Sequence, residues 1–138
     1  MQQVILSKIE SIERCLKRIR SKDVAGLFGA DDADIQDVIV LNLQRACQMS
    51  IDLAMYISAE LGYGIPQNSA DAFRKLFEHG VISEDLFERM KKMTAFRNIA
   101  VHQYQSINYA IVKSIVTQRL DDFYEFNAAI IGKYVSST

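Results

Sequence analysis

The 138-residue chain has no tryptophan, one proline (Pro66) and six glycines. With so few breakers, most of them clustered, the chain reads as long periodic stretches joined by short connections, and no strand pattern, repeat or low-complexity tract interrupts them. Its two cysteines, Cys15 and Cys47, lie far apart and outside any CxxC pair or Cys/His ligand set, which excludes a disulfide framework and a zinc site of ordinary spacing. Both read as buried free thiols. There is no Glu-x-x-His pair for a di-iron bundle and no Walker-type phosphate loop. No window approaches the roughly 18 continuous apolar residues of a spanning helix, and the amino terminus lacks a basic region followed by an apolar run and cleavage site. No membrane association is expected, and a cytoplasmic location fits. Excess charge is missing too: 16 Lys and Arg against 17 Asp and Glu give a net charge of -1. That excludes nucleic-acid binding by bulk electrostatics, so any RNA contact must be local.

What the chain has is apolar periodicity. A hydrophobic content of 49% in 138 residues supports a core, and one helical domain over 1–138 is expected. Ile5, Ile9, Ile12, Leu16 and Ile19 step by four, three, four and three residues, one face of a first helix, with Lys8, Glu13, Lys17 and Arg18 pointing elsewhere. After Gly26 and Gly29, the stretch Asp31-Asp32-Ala33-Asp34 offers N-cap acceptors for a second helix from about Ala33 to Leu61, closed by Gly62 and Gly64. The segment 62–68 is a loop. Asn68 or Ser69 caps a short helix carrying Ala72, Phe73, Leu76 and Phe77, which stops at Gly80, and Ser83 caps the next, with Glu84 and Asp85 in its first turn. A final helix is expected from near Ser106 to about Tyr134.

These elements predict an all-α fold: an up-and-down bundle of four main helices plus a short helix. The second and last, at some 27 residues each, would be about 40 Å long and would offer a partner-binding face, so a twofold homodimer is expected. Phe73, Phe77, Phe87, Phe96 and Phe123 read as core. His79 reads as a helix-end cation or surface residue. Asn42, Gln44, Arg45, Gln48 and Asp52 make the middle of the second helix polar, a helix face or subunit contact from which Arg45 is a minor candidate to line a cleft.

Chemistry concentrates in Arg97-Asn98-Ile99-Ala100-Val101-His102-Gln103-Tyr104. Cleaving RNA at a phosphodiester needs a group that moves protons at the 2'-hydroxyl or the leaving oxygen, and a cation for the charge on the phosphorane. Histidine is the side chain type that exchanges protons near neutral pH, and arginine the type that grips phosphate oxygens in a charged fork; His102 and Arg97 thus supply both roles without a metal or other cofactor. On a continuous helix five residues turn about 500°, leaving Arg97 and His102 roughly 140° apart. The helix must therefore end, as near Ala100, bend, or be completed by a second copy, and an extended chain beyond it would let His102 and Tyr104 face the same way. Arg89, Lys91, Lys92 and Arg97 form a positive run behind Glu84, Asp85 and Glu88, which equally describes a solvated helix face ordered as its dipole prefers.

The segment resembles the motif of the HEPN superfamily: an arginine, a polar residue, then a histidine, here with four residues between Arg97 and His102. The tyrosine two residues beyond the histidine looks like the HepT branch, toxins encoded beside a minimal nucleotidyltransferase antitoxin of the MntA kind. The resemblance covers the whole chain in length and helix order. It implies a helical homodimer whose two motifs line one cleft, and an endoribonuclease that leaves a 2',3'-cyclic phosphate and a 5'-hydroxyl. It implies that Arg97 and His102 are catalytic, that Asn98 positions one of them, and that the antitoxin transfers AMP from ATP to Tyr104, blocking the cleft. Two other readings stay open: a non-catalytic helical module that binds a nucleotidyltransferase and presents its substrate, and an antidote to a toxic nucleotidyltransferase.

Overall fold

The computed structural model describes residues 1–22 and 33–135, and every regular element among them is helical. Helix α1 (Gln2–Arg20) forms on its apolar stripe: Ile5, Ile9, Ile12, Leu16 and Ile19 are all buried, and Lys17, Arg18 and Arg20 occupy the last turn, where the helix dipole favours cations. The expected cap residues Asp31 and Asp32, with Gly26 and Gly29, lie outside the described residues. Helix α2 (Ala33–Glu60) runs 28 residues, about 42 Å at the usual rise. Gly62 follows it with φ 69°, a conformation that only glycine adopts cheaply.

Two caps place the next helices. The Asn68 side chain accepts from the Asp71 backbone N–H at 2.8 Å and starts α3 (Ser69–Glu78); Gly80, at φ 73°, ends the turn that follows. Ser83 accepts from the Leu86 N–H at 3.1 Å and starts α4 (Glu84–His102). Each cap satisfies a backbone donor that the first turn of a helix leaves unpaired, a contribution of about 1 kcal/mol.

The last expected helix is two helices. Ser106 belongs to a 3₁₀ turn (Tyr104–Ser106), and Asn108 instead caps α5 (Tyr109–Gln118), accepting from the Ala110 N–H at 2.9 Å. The chain then breaks at Arg119 (φ -124°, ψ 0°) before α6 (Leu120–Tyr134). The reason is visible in the stripe. Val112, Ile115 and Phe123 are buried, and an unbroken helix would carry Arg119 on the same inward stripe; the break leaves Arg119 exposed. Thr117 Oγ1 bonds back to the Lys113 carbonyl at 2.8 Å, a contact that bends helices, and Asp121 and Asp122 suit a new first turn.

Helices α1, α2, α4 and α6 close a ring: α1 packs on α2 and α6, and α4 packs on the same two, with α3 against α2 and α4. These are the four main helices of the expected bundle. Phe73 meets Phe126 edge to face at 5.4 Å, and Phe77 stacks on Phe87 at 5.8 Å. Phe73, Phe87, Phe96 and Phe123 are buried, and both cysteines are buried and free. Polar ties reinforce the seams: Arg20 reaches Asp121 at 3.0 Å, and Arg89 donates to Asp85, Asp122 and Glu125 at 3.0, 2.6 and 2.6 Å. Among the described residues no helix is long and apolar enough to cross a membrane.

Candidate active site

The polar segment occupies the last two turns of α4 and the 3₁₀ turn beyond. Met93, Phe96 and Ala100 hold α4 against the core, so Arg97, one position on from Phe96, sits half-buried at the border of core and solvent. Its Nη1 donates to Asn98 Oδ1 at 3.1 Å, while its Nε is buried with no hydrogen-bond partner. Its charge is felt at Cys47 of α2. Burial pushes the Cys47 thiol up to about 12, and the Arg97 charge works against that shift. His102 is exposed in the last turn of α4.

Tyr104 opens the 3₁₀ turn, 43% exposed, and its hydroxyl donates to Asp37 Oδ1 in the first turns of α2. That bond, then burial, then the neighbouring Tyr109 raise the phenol well above its ordinary range. With α4 packed on α2, the Tyr104–Asp37 bond sets the direction: α4 and α2 run antiparallel, with the end of one against the beginning of the other. Asp37, Leu41, Gln44 and Gln48 then form one stripe of α2. Leu41 is exposed, Gln44 and Gln48 are half-buried, and Gln48 Oε1 is buried without a partner while its Nε2 donates to Asp52 at 2.9 Å.

Three of the alternatives left open by the sequence are not the ones adopted in this chain. Helix α4 does not end near Ala100 but continues through His102 to a cap at Gln103, which keeps Arg97 and His102 on one helix and roughly 140° apart. The chain is not extended between His102 and Tyr104, because it turns at once into the 3₁₀ segment. Arg45 does not line this site: it borders a hollow of about 320 Å³ between α1 and α2, with Arg14, Cys15, Arg18 and Asn42. The positive run is also thinner than its letters suggest, since Arg89 is absorbed by three carboxylates. His79 caps the end of α3 at the surface, its Nδ1 2.8 Å from the Lys75 carbonyl oxygen, its ring stacked on Tyr63.

Sequence reasoning missed Asp37. It lies 67 residues from Tyr104, and nothing in its own neighbourhood distinguishes it from other acids on a helix surface. It also missed the apolar hollow of about 380 Å³ between α4 and α5, walled by Met93, Phe96, Ile99, Ile107, Ile111 and Ile115. Ile99 and Ile111 are 42% and 52% exposed, so this apolar wall continues onto the surface beside the polar segment.

A four-helix ring that carries an arginine, an asparagine, a histidine and a tyrosine at the open end of one helix defines a domain of the HEPN class. The family model described as Ribonuclease HepT-like matches residues 5–130, and the chain belongs to that family. It is 42% identical over 126 residues to the mRNA nuclease HepT of Shewanella oneidensis, covering 91% of this chain and 95% of that protein. A solved structure of the tri-AMPylated Shewanella oneidensis HEPN toxin in complex with its MNT antitoxin superposes with a TM-score of 0.84, at 39% identity over 96% of this chain and 100% of that one. A toxin–antitoxin structure with AMP-PNP superposes at 0.85, with 38% identity over 95% and 99% of the two chains.

Proposed function

We propose that this chain is the endoribonuclease toxin of a toxin–antitoxin pair, silenced when a partner nucleotidyltransferase adds AMP to Tyr104. The observation that carries the reading is the 42% identity to an mRNA nuclease HepT across nearly the whole of both chains, with Arg97, Asn98, His102 and Tyr104 grouped at one end of the bundle. In this reading Arg97 grips the scissile phosphate, oriented by its bond to Asn98. Its unpartnered Nε is a donor that a phosphate oxygen would satisfy. His102 moves the proton: as the 2'-oxygen attacks phosphorus and the bond to the 5'-oxygen breaks, the imidazole takes the 2'-hydroxyl proton or supplies one to the leaving oxygen. The products are a 2',3'-cyclic phosphate and a 5'-hydroxyl.

A single α4 cannot aim Arg97 and His102 at one phosphate, so the site is built from two copies of the chain about a twofold axis. The exposed Ile99 and Ile111 beside the polar segment supply apolar surface for that meeting. In this reading the pair works in the cytoplasm, where RNA and ATP are at hand. Purified chain should cut single-stranded RNA in EDTA, and His102→Ala should not. Retention of cutting by His102→Ala would remove His102 from the catalytic role; no cutting by the wild-type chain, or growth arrest caused by the partner alone and relieved by this chain, would favour the antidote or scaffold reading.

A further inference from the structure

The AMP acceptor has its own proton acceptor on another helix. The Tyr104 hydroxyl donates to Asp37 Oδ1, although the two residues are 67 positions apart and belong to the 3₁₀ turn after α4 and to the first turns of α2. Because α2 and α4 are antiparallel here, the packing that builds the bundle also delivers this carboxylate to this phenol. We propose that Asp37 is a catalytic residue of the AMP-transfer reaction, the base that receives the Tyr104 proton as the phenolic oxygen attacks ATP. The inference rests on Tyr104 being the acceptor, the reading given above.

The chemistry requires such a group. An O–P bond forms between Tyr104 Oη and the α-phosphorus of ATP, while the α-phosphorus–oxygen bond to the β-phosphate breaks and its electron pair leaves on pyrophosphate. The phenolic proton passes to the Asp37 carboxylate and from there to water. The partner nucleotidyltransferase supplies ATP with its Mg²⁺. The surroundings of Tyr104 disfavour a ready-made phenolate: Asp37 from α2 and Tyr109 from the start of α5 both raise its pKa, as does burial. The proton therefore has to leave during bond formation, when the attacking oxygen becomes strongly acidic, and Asp37 is already in hydrogen-bond contact with it. Once AMP is attached the phenol has no proton to donate and the new phosphodiester is negative. Repulsion between the new phosphodiester and the Asp37 carboxylate then breaks the contact that held Tyr104 to α2.

The test uses the full chain with its partner nucleotidyltransferase and MgATP, read by intact mass and peptide mapping. Wild type is compared with Asp37→Asn, Asp37→Glu and Tyr104→Phe. Asp37→Asn keeps an oxygen that can accept the phenol but loses the base; AMP addition should slow by roughly 10²-fold at neutral pH. The deficit should shrink toward pH 10 as solvent removes the proton instead. Asp37→Glu should recover a substantial part of the rate. Independently of turnover, carbon-13 tyrosine spectra assigned with Tyr104→Phe should show the Tyr104 titration falling in Asp37→Asn, which also reports on folding. Wild-type rates in Asp37→Asn, or equal losses in Asn and Glu variants with an unchanged pH profile, overturn the role of Asp37. Undiminished modification of Tyr104→Phe instead overturns the reading of Tyr104 as acceptor.

Discussion

Arg89 of α4 and Asp122 of α6 meet at 2.6 Å with the aspartate side chain only 6% exposed, and the same guanidinium also reaches Glu125. The Glu125 and Asp122 bonds together raise the Arg89 pKa further. This clamp joins the helix that carries the site to the helix that closes the ring.

Arg89→Ala should therefore be far costlier than a surface change, because it strands a buried carboxylate. Breaking a buried pair by removing one partner costs about 3–5 kcal/mol, and the partly open setting of Glu125 puts the expectation near ~3 kcal/mol. Urea unfolding of Arg89→Ala beside wild type reads this directly. A loss of a few tenths of a kcal/mol would show that the clamp is only a surface pair.

The proposed roles of His102 and Arg97 differ, so their variants should fail differently. His102→Ala should reduce RNA cleavage by on the order of 10²-fold or more through lost proton transfer. Arg97→Lys should also be poorly tolerated, since it removes the fork and the geometry of the bond to Asn98. Asn98→Ala leaves the charge and loosens its aim, a loss of about 10-fold in kcat/KM for roughly 1.4 kcal/mol. Single-turnover cleavage rates separate the three; wild-type activity in Arg97→Lys would mean that only charge is needed there.

Tyr104→Phe removes the phenol and its bond to Asp37 from a half-exposed site, so stability should change by no more than about 1 kcal/mol. Wild-type chain incubated with the partner, ATP and Mg²⁺ should gain one or more AMP units and lose RNase activity, whereas Tyr104→Phe should escape both. Full RNase activity in chain modified at Tyr104 would rule out this form of control.

Cys47 carries a pH signature. Its thiol is raised from 9.0 to about 12 in the folded chain, first by burial, with Arg97 opposing. Above pH 9 the unfolded chain releases this proton while the folded chain holds it. The thiol's contribution to stability is thus fully present below that pH and lost as pH rises from 9 toward 12, by about 1.4 kcal/mol per unit. Cys47→Ala should flatten the alkaline limb of a stability–pH curve, and at neutral pH Cys47 should resist iodoacetamide until the chain unfolds.

The local grammar of the fold was legible. Ile5 to Ile19, the Asn68 and Ser83 caps and Gly80 each act within a few residues, the range over which spacing and side-chain type decide structure. The break at Arg119 was not legible, because no proline or glycine marks it; it follows from which side chains the finished core admits. The same holds for the site. Arg97, Asn98, His102 and Tyr104 stand together in sequence, but Asp37 joins them only through the antiparallel packing of α2 on α4.

Tyr63, just beyond the end of α2, stacks on His79 at 3.9 Å and bonds through its hydroxyl to Tyr134 at 2.8 Å, tying together the loop, the end of α3 and the end of α6. The run of α2 from Asp37 to Glu60 separates this knot from Asp37 by about 35 Å. The bundle is thus tied at one pole by a ring stack and a hydroxyl pair, and at the other, among the described residues, by Arg20 on Asp121 and Tyr104 on Asp37. Amide exchange should be slower near Tyr63, whose bond to Tyr134 is part-buried, than near Asp37, whose bond to Tyr104 is exposed, and the reverse order would make the Tyr104 end the firmer pole.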